Sequence, residues 1–244
     1  MSQHSYCRIG CDRKPRAFTM VDLLVVMVIL MGLLLLGVAL PSFGGRRPAR
    51  QMQNSTQLRG IHSALVLFSQ GNNTYYPGFD EYGKPLEDIS VAFRFKQLLD
   101  DNYFTGEYII APTEWGDKTA LGNMDAKLTT ANFSYAMLNL SVNDSPRINE
   151  WRDTSNSEAV VLSDRAIANG KDGAIKSVHT RPSKNTTEWR GSVGWNDNHV
   201  TFEATHDQFD TRYGDETFAN DNFFDTQGAS LIFSGNDKLI DPGK

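Results

Sequence analysis

The chain has 244 residues, 40% hydrophobic and 22% charged, with 24 Lys and Arg against 29 Asp and Glu for a formal net charge of −5. That is ordinary globular composition for one sizeable domain or two small ones, and it excludes collagen-like or wholly disordered chains. The acidic balance also argues against a protein held to nucleic acid through phosphates, and no nucleic-acid partner is expected.

Charge and hydropathy are uneven from the first residues. Residues 1–17 carry Arg8, Arg13, Lys14 and Arg16 against Asp12 alone, a basic end that the positive-inside rule keeps cytoplasmic. Both cysteines, Cys7 and Cys11, fall here. The rest of the chain therefore needs no disulfide, and a Cys-x3-Cys pair with only His4 nearby lacks the ligands of a zinc site. Residues 23–40 run for eighteen positions without a charge, the pattern of a membrane span. A helix over 18–40 reaches about 34 Å, against a bilayer core of about 30 Å. Gly32, Gly37 and Ala39 offer small surfaces to neighbouring helices, and Pro41 kinks or ends the helix.

At the junction the sequence reads Arg13-Lys14-Pro15-Arg16-Ala17-Phe18-Thr19-Met20-Val21-Asp22-Leu23: basic residues, a small residue, an aromatic, and an acid four beyond it. This resembles the prepilin signal of type IV pilins and type II secretion pseudopilins. The resemblance implies a prepilin peptidase that cuts between Ala17 and Phe18 and N-methylates Phe18. Asp22 becomes the fifth mature residue, the assembly acid that meets the terminal amine of an adjacent subunit. An acid in an apolar helix is costly in lipid without such a partner. Two residues depart from the family pattern, Asp22 for its usual Glu and Ala17 for its usual Gly. Loss of the leader leaves 20 basic and 28 acidic residues, a balance of −8. Two other readings are open. Gly37-Val38-Ala39 would serve as a secretory cleavage site before Leu40, and an uncut signal anchor would keep Met1.

Arg46, Arg47 and Arg50 follow as a short basic patch, placed to touch anionic lipid or, by default, to stay solvated. Over 51–70, Leu58, Ile61, Leu65 and Phe68 recur at helical spacing, which predicts an amphipathic helix with one face on a sheet. Gly71-Asn72-Asn73 ends it and Tyr75-Tyr76-Pro77-Gly78 is a turn. Leu58 to Leu65 followed by Tyr-Pro-Gly is similar to the post-anchor helix of a planctomycete-type pseudopilin-like group, and His62 beside the stripe reads as a packed or surface histidine. A helix over 93–101 leading into a strand over 103–111 is similar to the segment that follows in that group. Strands are predicted over 133–138, 159–162, 191–195, 199–202 and 231–233. Asp197-Asn198 turns a hairpin between the third and fourth of these, which also resembles the group's C-terminal hairpin.

After His206 acids dominate among Gly and Asn, predicting a solvated acidic tail. Some pseudopilins hold calcium in such a loop, which makes Asp221 and Asp225 weak calcium candidates, although the spacing matches no EF-hand. No other cofactor is expected. Catalytic signatures such as Gly-x-Ser-x-Gly and His-Glu-x-x-His are absent, and Asp164 and Asp197 read as solvated or turn-forming carboxylates rather than an acid pair. The chain is not expected to be an enzyme.

The resulting expectation is an α+β, pilin-like fold, in which a long N-terminal transmembrane spine helix precedes an antiparallel β-sheet head. Its divisions are a leader (1–17), a transmembrane helix (18–40), an amphipathic extension of that helix (41–70), a head (71–206) and an acidic loop region (207–244). The function implied is a pseudopilin subunit of a type II secretion or type IV pilus-like fibre. Its partners are prepilin peptidase, sister subunits, inner-membrane assembly machinery and the lipid bilayer. Its place is the bacterial inner membrane, single-pass, with the C-terminal domain in the periplasm or outside. The alternative is an exported periplasmic or signal-anchored binding module or hydrolase that uses the apolar segment only for export.

Overall fold

The computed structural model describes residues 19–39, 46–123, 125–140, 146–168, 175–180, 188–233 and 240–241. The chain divides into two compact units, Met1–Gly45 and Arg46–Lys244.

In the first unit the described element is α1 (Met20–Ala39). Thr19 precedes it, and the backbone N–H and hydroxyl of Thr19 both donate to Asp22 Oδ2, at 3.0 and 2.8 Å, while Asp22 N–H donates to the Thr19 hydroxyl at 3.3 Å. This is a capping box, Thr at the N-cap and an acid three residues on. Crossing a bilayer core takes about 20 consecutive apolar residues, and among the described residues no helix is long and apolar enough to do so. The expected transmembrane spine, one helix carried through its extension, is not seen, and the single-pass inner-membrane location that depended on it is not supported.

The second unit is built on a five-stranded antiparallel sheet. Its strands are β1 (Tyr135–Leu138), β2 (Val160–Asp164), β5 (Gly191–Trp195), β6 (Val200–Glu203) and β9 (Leu231–Ile232), in the spatial order β6-β5-β2-β1-β9. Its helices are α2 (Arg46–Gly71), α3 (Val91–Asp100) and the short α4 (Pro146–Glu150). On α2 the predicted stripe is the buried one: Leu58, Ile61 and Leu65 are inaccessible and Phe68 packs at the rim of the core. The helix lies on β2, β5 and β6. Ser90 caps α3 by accepting from Phe93 N–H at 3.2 Å, and Val91, Phe95, Leu98 and Leu99 bury its apolar side.

The β5–β6 hairpin turns where expected. Asn198 takes φ 67° and its N–H donates to Trp195 O at 3.0 Å. Asparagine tolerates this left-handed conformation better than most side chains. Ser192 and Gly194 face α2, so by strand alternation Val193 and Trp195 face the opposite side.

What covers that opposite side differs from expectation. Within the segment expected to be a solvated acidic tail, β7 (Phe209–Tyr213) and β8 (Glu216–Asp221) form an antiparallel pair. The buried Tyr213 hydroxyl donates to Val160 O at 2.8 Å and accepts from Val160 N–H at 3.1 Å. Phe223 stacks on Phe209 at 4.5 Å between ring centroids and meets Trp195 edge-on at 6.5 Å. The aromatic residues spaced among the acids account for the change, because their burial on the sheet outweighs the solubility of the carboxylates between them. A smaller sheet joins β3 (Ala166–Ala168), β4 (Ile175–Lys176) and β10 (Ile240–Asp241) in the order β10-β3-β4. The predicted strand over 103–111 is instead a 3₁₀ turn, Gly106–Ile109, with Phe104 stacked on Tyr108.

Candidate functional site

The first half of α2 meets the sheet through polar rather than apolar groups. Asn54 is inaccessible to solvent. Its amide donates to both oxygens of Asp164, each at 2.9 Å, and to Ser192 Oγ at 3.1 Å, while its carbonyl accepts from the Tyr135 hydroxyl at 3.0 Å. One helix side chain thus ties β2, β5 and β1 together. Ser192 N–H completes the cradle on Asp164 at 2.7 Å, and Ser55 Oγ lies 2.9 Å from Ser192 Oγ. Burial raises the Tyr135 phenol well above its ordinary range, with the Asp164 charge adding to the effect. The phenol stays a neutral donor shared between Asn54 and Gln57 Oε1.

Asp164 fits because Gly191 faces it: a β-carbon on Gly191 would sit 2.9 Å from Asp164 Cβ and 2.8 Å from the Trp189 ring. His179 Nε2 lies 3.3 Å from Asp164 Oδ2 without the alignment of a hydrogen bond, and its ring packs edge-on to Phe202 of β6. A histidine, a carboxylate and a serine hydroxyl are therefore neighbours. The bonding of Ser192 Oγ, however, runs to Asn54 and Ser55 on α2. A nucleophile needs its base in hydrogen-bond reach; this hydroxyl is instead employed in fixing the helix. What the cluster does chemically is set the register of α2 on the sheet, since sliding the helix would strand a buried carboxylate.

A second polar network sits about two turns further along α2, at His62. His62 Nε2 lies 3.4 Å from Asn196 Oδ1, which also accepts from the Tyr76 hydroxyl at 2.8 Å. The Asn196 amide donates to Glu150 O and Arg152 O, both at 2.9 Å, and to Thr154 Oγ1 at 2.8 Å. Burial lowers the His62 pKa, which favours the uncharged ring.

Beside the first cluster, α2 and the sheet's edge strand β6 enclose an open groove of about 430 Å³. Gln51, Met52, Ser55 and Arg59 line one wall and Val200 and Phe202 the other. Met52 and Phe202 are 73% and 38% exposed. Sequence reasoning missed this groove, as it missed Asn54 and Ser192, because their partners lie more than a hundred residues away in the chain. It also missed Arg94, a buried guanidinium 4.6 Å from the Trp151 ring centroid that donates to Leu138 O at 2.9 Å; desolvation lowers its pKa to about 9.

The residues singled out in the sequence fall in separate places. Ala17 and Phe18 lie outside the described residues. Asp22 is exposed and its carboxyl is held below the ordinary range by the Thr19 backbone N–H first and the Thr19 hydroxyl second. Asp164 and Asp197 lie toward opposite ends of β5, Asp164 against Ser192 and Asp197 in the turn beyond Trp195. Asp221 is buried, with Oδ2 taking Ala229 N–H at 2.8 Å and the Thr211 hydroxyl. Asp225 Oδ1 accepts from Gln227 N–H at 2.8 Å. Among the described residues no three His, Cys, Asp or Glu side chains gather as a metal site would require.

No protein-family model, no curated protein and no solved structure matches the chain.

Proposed function

We propose that this chain is a structural subunit of the prepilin type. Prepilin peptidase cuts it between Ala17 and Phe18 and methylates Phe18, and assembly machinery builds it with sister subunits into a type II secretion or type IV pilus-like fibre. The observation that carries this reading is α1. Every large apolar side chain described on it, from Met20 to Leu34, is between 45% and 90% exposed. A helix apolar all round requires neighbours all round, and sister copies of the same helix supply them in a fibre core.

Two further features support the reading. Asp22, with its pKa lowered, is ionised at neutral pH and stands within the first turn of α1, where a neighbouring subunit's terminal ammonium would find a counter-charge. The second unit places a helix across an antiparallel sheet, a rigid body suited to a mechanical role. Mass spectrometry of the mature N-terminus tests the proposal. A methylated Phe18 is expected. A chain beginning at Leu40 would overturn it in favour of an exported binding module or hydrolase, and an uncut Met1 would overturn it in favour of a signal anchor.

A further inference from the structure

The groove between α2 and β6 carries a charge pattern as well as an apolar floor. Residues 46–71 hold Arg46, Arg47, Arg50 and Arg59 and not one Asp or Glu, in a chain whose net charge is −5. Arg50 and Arg59 are exposed, and Arg59 lines the groove itself. The opposite pattern occurs at the tip of the β7–β8 hairpin, where Asp215 and Glu216 are both exposed, with Asp210 further along it and Asp207 just before it. Arg212 is the hairpin's single basic residue; its Nη1 lies 3.9 Å from Glu158 Oε2 and its Nε donates to Gly214 O at 3.1 Å.

These two surfaces do not serve one molecule. The hairpin packs on the face of the sheet opposite α2, tied there by Tyr213 to Val160, so its tip does not reach the groove of its own chain. We infer that the groove between α2 and β6 receives the β7–β8 hairpin tip of a second copy of this chain. Arg50 and Arg59 meet Asp215 and Glu216, and the exposed Met52 and Phe202 close over the hairpin backbone. β6 favours such a visitor because it is the sheet's outer strand, bonded to β5 on one side and to no other strand among the described residues; an open strand edge is a template for further chain. The contact joins unlike patches, so each copy offers one groove and one tip and can engage a different neighbour through each, as growth of a fibre requires. The inference rests on the fibre reading above and names a surface for it outside α1.

The test uses the full chain, assembled from mixed light-isotope and heavy-isotope subunits, with a photo-crosslinking benzoylphenylalanine in place of Met52. The expected product is a peptide pair, one member light and one heavy, joining position 52 to residues 207–221. Reversal by Arg50→Glu with Arg59→Glu should lower its yield about tenfold, since like charges face each other across the contact. Asp215→Lys with Glu216→Lys should do the same, and the two reversals together should restore it. Unchanged melting temperatures would show that these exposed substitutions leave the fold intact. Crosslinks confined to single isotopes, crosslinks to any other region, or a combined reversal without recovery would overturn the inference. Recovery of methylated Phe18 in the same samples would then leave the fibre reading standing, so the two failures are distinguishable.

Discussion

Replacing Asn54 by alanine removes the side chain that three strands share, and the loss can be worked from its bonds. Asp164 keeps Ser192 N–H at 2.7 Å but loses the amide that reached both of its oxygens at 2.9 Å. A hydrogen bond to a buried charge contributes about 1.5–3 kcal/mol. Tyr135 retains Gln57 Oε1 at 3.1 Å, so its hydroxyl adds little. The vacated amide leaves a small cavity worth about 1 kcal/mol. The sum is a destabilisation of about 3 kcal/mol, or roughly 6–12 °C in melting temperature for a domain of this size. Urea unfolding followed by tryptophan fluorescence measures it, because Trp115, Trp151, Trp189 and Trp195 all lie in the second unit. Asn54→Asp should be worse than Asn54→Ala, since it sets a second carboxylate against Asp164 in a buried site. A loss below about 1 kcal/mol, or an aspartate variant no worse than the alanine one, would refute the view that this cluster fixes α2 on the sheet.

Burial holds the folded-state pKa of His62 below its ordinary value of 6.5, so the folded chain binds fewer protons there than the unfolded one. Stability is then complete above pH 6.5 and falls as pH drops below it, by at most about 1.4 kcal/mol per pH unit, until the folded pKa is reached. His206 is shifted the same way by burial, so the measurement is the difference between wild type and His62→Gln in urea melts from pH 7.5 to 5, with the variant expected to show the shallower slope. Gly60 supplies a second contrast. An alanine in a helix interior normally gains about 1 kcal/mol over glycine, but here the new β-carbon would lie 2.0 Å from the Tyr108 hydroxyl oxygen. Gly60→Ala should therefore destabilise the chain alone and stabilise it in a Tyr108→Ala background, as read by melting temperature.

Local signals carried the elements that sequence reading found. The stripe of Leu58, Ile61 and Leu65 needed only its spacing, and the 191–203 hairpin needed only alternation and an Asp-Asn turn. Where a segment's meaning depended on distant residues, reading failed. From Phe209 to Phe223 the acids match the aromatics four to four, yet the aromatics decide the structure, since Trp195 and Val160 provide a surface to bury them on. Tyr103 to Ile110 has the apolar content of a strand, but Thr105-Gly106 interrupts it and Tyr108 is drawn over Gly60. Asn54, Asp164 and Ser192 are common surface residue types that nothing local marks as buried partners. The capping box of Thr19 and Asp22 was open to reading, because it is a local Thr-x-x-acid pattern; assigning the acid an assembly role hid its simpler use.

That double use of Asp22 can be taken apart. As a cap, the carboxylate needs only to accept from Thr19, which an amide oxygen does almost as well; as a counter-charge for a neighbour's ammonium it must be an anion. Asp22→Asn therefore keeps the cap and removes the charge, whereas Thr19→Val removes the hydroxyl from the cap and keeps the charge. If the charge is what assembly requires, Asp22→Asn should be lost from sheared fibres while Thr19→Val is incorporated, and lowering pH through the carboxylate's titration should mimic the first variant in the wild-type chain. If the acid serves only to start α1, the order reverses: Asp22→Asn assembles, Thr19→Val assembles poorly, and the wild-type chain is indifferent to that titration. Quantifying the subunit in sheared fibres from the two variants decides between them, because the bonds from Thr19 to Asp22 at 2.8 and 3.0 Å make each substitution silent in one role and severe in the other.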